Sequence, residues 1–132
     1  MFRHRPLQLI DKVTKKIAVN RLFVADGFWS RFRGLILRPK IEADAALLLV
    51  PAASIHTFMM GYAIDVAMLS ETGEVLKVVP NVRPWRIVKG AKGTRAVLEF
   101  AAGEAGFEAG AQLRLRTTGI PPHSLRFLWE AV

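Results

Sequence analysis

Apolar and polar residues change places along this chain in short runs, most with the two-residue period of strands rather than the 3.6-residue period of helices. Ile17, Val19, Leu22 and Val24, with Ala18 and Phe23 between them, are β-forming residues closed by Asp26-Gly27 like a turn, which predicts a first strand. Phe28, Phe32, Leu35 and Ile36 recur at helical spacing, with Arg31, Arg33 and Arg38 off that stripe. A short helix is therefore expected over 28–37, with Ser30 as a candidate cap and Pro39 as its stop. Residues 47–50 form an apolar run ended by Pro51, as in a buried strand. Residues 63–69 and 75–79 flank Ser70-Glu71-Thr72-Gly73-Glu74, where Gly73 can take the positive φ that a hairpin loop needs. Residues 95–100 and 112–116 alternate as half-buried strands, and the glycine-bearing stretch 101–110 connects them. The expected fold is mainly β, of the α+β class. It is a small, curled, antiparallel sheet, barrel-like or sandwich-like, with one or two short helices.

Composition narrows the picture. A chain of 132 residues, 52% hydrophobic and 23% charged, fits one domain spanning 1–132 with a core of its own. With no cysteine, a disulfide scaffold, a thiol nucleophile and a thiolate metal site are excluded. No apolar run approaches the roughly 20 residues of a transmembrane helix, and the apolar stretch 7–10 is too short for a signal-peptide core. The cytoplasm is the expected compartment. The net charge of +8 is concentrated: residues 1–42 hold ten Lys or Arg against three acids, whereas 43–132 hold nine against eight. Within the second part Lys77, Arg83, Arg86, Lys89, Lys92 and Arg95 form a basic block with no acid among them. Such blocks can bind nucleic acid or an anionic surface by counterion release, but no recognisable nucleic-acid motif accompanies them, so a solvated surface is the preferred reading.

The candidate chemistry lies in Ser54-Ile55-His56-Thr57-Phe58-Met59-Met60-Gly61-Tyr62-Ala63-Ile64-Asp65, where polar groups interrupt an apolar stretch and need partners if buried. In an extended strand Asp65 shares a face with Ala63 and Ala67, leaving room above its carboxylate for a side chain, a water or a ligand. His56 could reach back across the Met-Gly bend, and Glu99, on the face opposite Leu98 and Phe100, could approach the same region. Three readings follow. His56 could be a base oriented by Asp65, acting on water or on a Thr57 or Ser54 hydroxyl, as in a hydrolase. His56, Asp65 and Glu99 could hold a metal, although no two ligands fall at i, i+2 or i, i+4, and no metal is assigned. The set could instead be a satisfied polar network or a pocket that binds without reacting. Phe58, Met59 and Met60 read as core filler. Trp85 and Arg86, between Asn81 and Gly93, read as a flap or a wet loop. Leu125, Phe127, Leu128 and Trp129 could dock back on the domain or present an apolar patch.

Arg31-Phe32-Arg33-Gly34-Leu35, then Ser54-Ile55-His56-Thr57-Phe58 with Met60, Ile64-Asp65-Val66, and Val97-Leu98-Glu99 followed by Gly103 and Gly110, resemble in order and spacing the domain of unknown function 192 family. The resemblance covers about 16–116 and leaves 1–15 and 117–132 as terminal extensions. Arg38-Pro39 and Ala67-Met68 depart from it. It implies a small β-rich domain of bacterial and archaeal type with shared polar positions Arg33, His56, Thr57, Asp65 and Glu99; it implies no reaction, and the cofactor is left unknown. The leading expectation is a non-enzymatic ligand-binding or interaction module. Its site would comprise Arg33, Ser54, His56, Thr57, Asp65 and Glu99 around a small polar or anionic ligand. The alternatives are a hydrolase using His56 and Asp65, and a nucleic-acid or anionic-surface binder using residues 1–40 and 77–95.

Overall fold

The protein is described here from a computed structural model over residues 7–27, 31 and 40–130. The expected helix over 28–37 lies outside the described residues apart from Arg31, whose N–H bonds Gly27 O at 3.0 Å. Ten strands are described: β1 (Gln8–Asp11), β2 (Ile17–Val19), β3 (Arg21–Ala25), β4 (Ala45–Leu49), β5 (Ser54–His56), β6 (Ile64–Ser70), β7 (Val75–Val82), β8 (Ile87–Lys89), β9 (Thr94–Ala101) and β10 (Leu113–Arg116). A 3₁₀ helix, His123–Leu128, follows them. The fold is mainly β, as the alternation predicts.

A five-stranded sheet in the order β3-β4-β9-β6-β7 forms the middle layer. A three-stranded sheet, β10-β1-β2, covers one face, and a two-stranded ribbon, β5-β8, packs against the other. These sheets stay open, so the layered half of the expectation holds and the barrel does not. The pairings are antiparallel except β3 with β4, which run parallel because residues 26–44 provide a connection long enough to cross over. Being covered on both faces, β4 is buried at every position and β6 and β9 nearly so, which is why they read as continuous apolar runs.

The layers divide the core in two. Leu9, Leu22, Leu48, Ala67, Leu98, Phe100, Leu113 and Leu115 pack between the five-stranded and three-stranded sheets, joined by Leu125 and Leu128 of the 3₁₀ helix. Leu47, Leu49, Ile64, Val66, Met68 and Val97 face the other way and meet Ile55, Met60 and Val88 from the ribbon side. The expected first strand over 17–24 is broken at Asn20 into β2 and β3, which belong to different sheets. Residues 8–11, placed among the terminal extensions by sequence, form the middle strand of the three-stranded sheet. The predicted hairpin is present. Gly73 sits at φ 80° and donates to Ser70 O at 3.0 Å, and a Cβ there would run into the Leu113 carbonyl.

Candidate functional site

Asp65 faces the three-stranded sheet, because it pairs with Phe100 and alternates with Ile64 and Val66, which face the ribbon. The β6–β7 ladder slips beside it: Ile64 opposes Val82 and Val66 opposes Val79, so β7 carries one residue more than β6 across this step. Pro80 brings no N–H, and Asn81 turns to φ 50° with its N–H released from the ladder. The Asp65 carboxylate takes that N–H on Oδ1 at 2.9 Å. Oδ2 accepts from Gly103 N–H at 3.0 Å and, more weakly, from Ala105 N–H at 3.4 Å. The space that Ala67 leaves above Asp65 is thus occupied by main chain. Asp65 staples a bulge and a loop together.

Glu99 occupies the opposite face. It pairs with Leu47 and Val66, and the row across the sheet reads Phe23, Leu47, Glu99, Val66, Val79. It is 2% exposed, and no hydrogen bond or ion pair engages it among the described residues. Burial pushes its carboxyl up to about 8, so the neutral acid prevails at pH 7. The structure therefore separates the two carboxylates that the sequence analysis grouped in one cleft. Among the described residues no three His, Asp or Glu side chains converge as a metal site would require.

His56 belongs to the ribbon. Ile55 pairs with Val88 and both turn into the core, so the alternate positions, Ser54 with Lys89 and His56 with Ile87, share the outer face. His56 Nδ1 accepts Phe58 N–H at 3.3 Å, which leaves the proton of the neutral ring on Nε2. Its ring lies 4.9 Å from that of Phe58, which in turn stacks on Trp85 at 5.7 Å and 28°. The hydrogen bonds that Asp65 accepts come from main chain and none from His56, consistent with the sheet standing between them.

Thr57 holds this end of the ribbon. It is fully buried, its hydroxyl donates to Arg83 O at 2.6 Å and accepts from Arg86 N–H at 2.9 Å. Its own N–H reaches Arg86 O at 2.8 Å and its carbonyl accepts Trp85 N–H at 2.9 Å. Met59 and Trp85 flank this clamp in left-handed backbone, at φ 62° and 65°, a conformation costing bulky residues about 1–3 kcal/mol each. Both side chains are more than half exposed, and Met60 alone of the two adjacent methionines enters the core. The stretch read as a flap is therefore tied down around Trp85 and continues into β8. Thr57→Val, which keeps the shape and removes the hydroxyl, should lower stability by about 1–3 kcal/mol, because a part-buried carbonyl and N–H lose their partner. Thr57→Ser should recover most of that. Equal urea midpoints for Val and wild type would contradict the clamp.

Of the expected set, Ser54, His56 and Thr57 gather on the ribbon, Asp65 and Glu99 fall on the two faces of the middle sheet, and Arg33 lies outside the described residues. Phe58, Trp85 and Ile87 join the ribbon group. The alternation Ile87-Val88-Lys89 is the one signal that could have placed Ile87 beside His56, and it is too short to read alone.

Comparison with known proteins agrees with this architecture. A protein of unknown function from Novosphingobium aromaticivorans DSM 12444 superposes with a TM-score of 0.70 at 18% identity, covering 83% of each chain. A crystal structure titled as a putative transcription regulator from Sinorhizobium meliloti 1021 gives 0.72 at 18%, covering 84% of this chain and 92% of that one. At that identity they share the fold. A UPF0127 protein of Thermococcus sibiricus (strain DSM 12597 / MM 739) is 36% identical over 100 residues, which span 72% of this chain and 64% of the archaeal one. This chain thus covers less than two-thirds of that relative's length. The family model DUF192, described as Uncharacterized ACR, COG1430, matches residues 10–115, from the end of β1 into β10, and the chain belongs to that family.

Proposed function

We propose that this protein is a non-enzymatic binding module whose contact face is the outer side of the β5–β8 ribbon. The observation that carries the reading is the stack of His56, Phe58 and Trp85, continued by Ile87, with Trp85 61% and Ile87 66% exposed on a backbone that Thr57 clamps rigidly. A rigid aromatic surface binds at low entropic cost, since its rings are ordered before the partner arrives. The left-handed backbone at Met59 and Trp85 holds both side chains outward at an energetic cost, as is common where a surface serves binding.

The hydrolase reading has less support. Asp65, the group that would orient His56, gives its lone pairs to three backbone N–H groups. Glu99 is enclosed and neutral, a poor base at pH 7.

The test is amide chemical-shift mapping with four probes: an oligothymidylate, polyglutamate, a neutral oligosaccharide and anionic vesicles. At least one should bind, with shifts centred on residues 54–59 and 85–89. Shifts centred elsewhere, or binding by none combined with ester hydrolysis that His56→Ala abolishes, would overturn the proposal.

A further inference from the structure

Resting on the ribbon face just described, we infer that its ligand is single-stranded nucleic acid, with an unpaired base stacked on Trp85 and the backbone phosphates on Arg83, Arg86 and Lys89. The two halves of that recognition lie on the same short segment. Trp85 is largely exposed and stacks on Phe58, so a base laid on its ring would extend a stack that the two side chains already begin. Arg83, Arg86 and Lys89 are exposed, two before, one after and four after Trp85, and Lys89 shares the outer face with His56 and Ile87.

The segments that build this face contain no acid: there is none from Pro51 to Ile64 and none from Val75 to Leu98. These two segments therefore contribute only positive formal charge. Local net charge elsewhere is tempered differently, as at Arg21, which is paired with both Glu42 and Asp44. Each cation of the ribbon end would release condensed counterions on meeting a phosphate.

Other anionic partners use only half of this surface. An acidic peptide would meet the cations and leave the ring face without a planar counterpart. An anionic bilayer would need a broader apolar area than Met59, Trp85 and Ile87 supply. Duplex DNA hides its base faces, which is why the inference is for single strands and for unpaired positions within them. The lack of a nucleic-acid motif in the sequence is consistent with this, because Phe58 and Trp85 meet through the fold and lie 27 positions apart.

Fluorescence anisotropy on the full chain tests it, with a labelled oligothymidylate of about 12 nucleotides, an abasic oligomer of the same length, the matching duplex and polyglutamate. The oligothymidylate should bind at least about tenfold more tightly than the abasic oligomer, and Trp85→Ala should erase that difference. Trp85→Tyr, which keeps a ring, should retain most of it, and this guards against a folding defect in the alanine variant. The plot of log affinity against log salt should have a slope of about −2 for three phosphate contacts, and replacing Arg83, Arg86 and Lys89 by Gln together should flatten it. Equal affinity for the abasic and base-bearing strands would overturn the inference, as would preference for the duplex or for polyglutamate. If polyglutamate binds and Trp85→Ala abolishes that binding, the ribbon remains the contact face and the nucleic-acid assignment alone falls. If the oligothymidylate binds and neither the Trp85 variants nor the triple variant changes it, the ribbon reading falls as well.

Discussion

Asp65→Asn is expected to destabilise the fold by about 3 kcal/mol and Asp65→Ala by about 3–5 kcal/mol, the largest losses from any polar substitution considered. The carboxylate is an acceptor on both oxygens, taking Asn81 N–H on one and the N–H groups of Gly103 and Ala105 on the other. Asparagine is almost isosteric but presents an NH₂ on one side, so a donor must face a donor at either the bulge or the loop. Hydrogen bonds to a charged acceptor contribute about 1.5–3 kcal/mol each, and the stranded N–H groups have no strand partner to return to. Against a total stability of about 5–15 kcal/mol for a domain of this size, the loss takes away about a fifth or more. Urea unfolding measures the total. Amide hydrogen exchange localises it: protection should fall first at Asn81, Gly103 and Ala105. An Asp65→Asn protein with an unchanged midpoint would show that the staple carries no weight.

The alternation within each strand was legible in the sequence, and it assigned Asp65 to the face of Ala67, and Glu99 to the face away from Leu98 and Phe100. Both assignments agree with the structure. What alternation cannot supply is the phase between strands. Only the register, with Val66 opposite Glu99 and Asp65 opposite Phe100, reveals that the two acids point away from each other. The short elements were illegible for a related reason. Strands of three or four residues, such as Ser54–His56, Ile87–Lys89 and Gln8–Asp11, complete barely one period and gain their order from pairing rather than from pattern. The bulge was hidden as well, since Pro80-Asn81 within β7 reads equally well as the strand's end. The aromatic stack needed the fold itself, because loop residues carry no period.

Stability should fall as pH rises from about 4.5 to about 8, and Glu99→Gln should remove that slope. In the unfolded chain this carboxyl titrates near 4.5, whereas in the folded protein burial among Leu47, Val66 and their neighbours holds the proton until about 8. Between those values the native state binds a proton that the unfolded state has released, so each rise in pH favours unfolding. Above about 8 both states are ionised and the penalty is constant, on the order of 4–5 kcal/mol at its fullest. Asp44 acts with the opposite sign in a different window. Its hydrogen bonds from Arg21 and Asn20 hold it at about 2, so what it contributes is present above its ordinary value of 3.8 and fades below it. A neutral amide at position 99 cannot ionise, so Glu99→Gln should match the wild type near pH 4 and exceed it by on the order of 3 kcal/mol near pH 7. Thermal unfolding across that range decides the matter, and parallel curves for the two proteins would mean that Glu99 is ionised in the fold. That outcome would require a cation or several donors beside the carboxyl. The predicted divergence instead fits an acid buried in an apolar layer, with no cation beside it among the described residues.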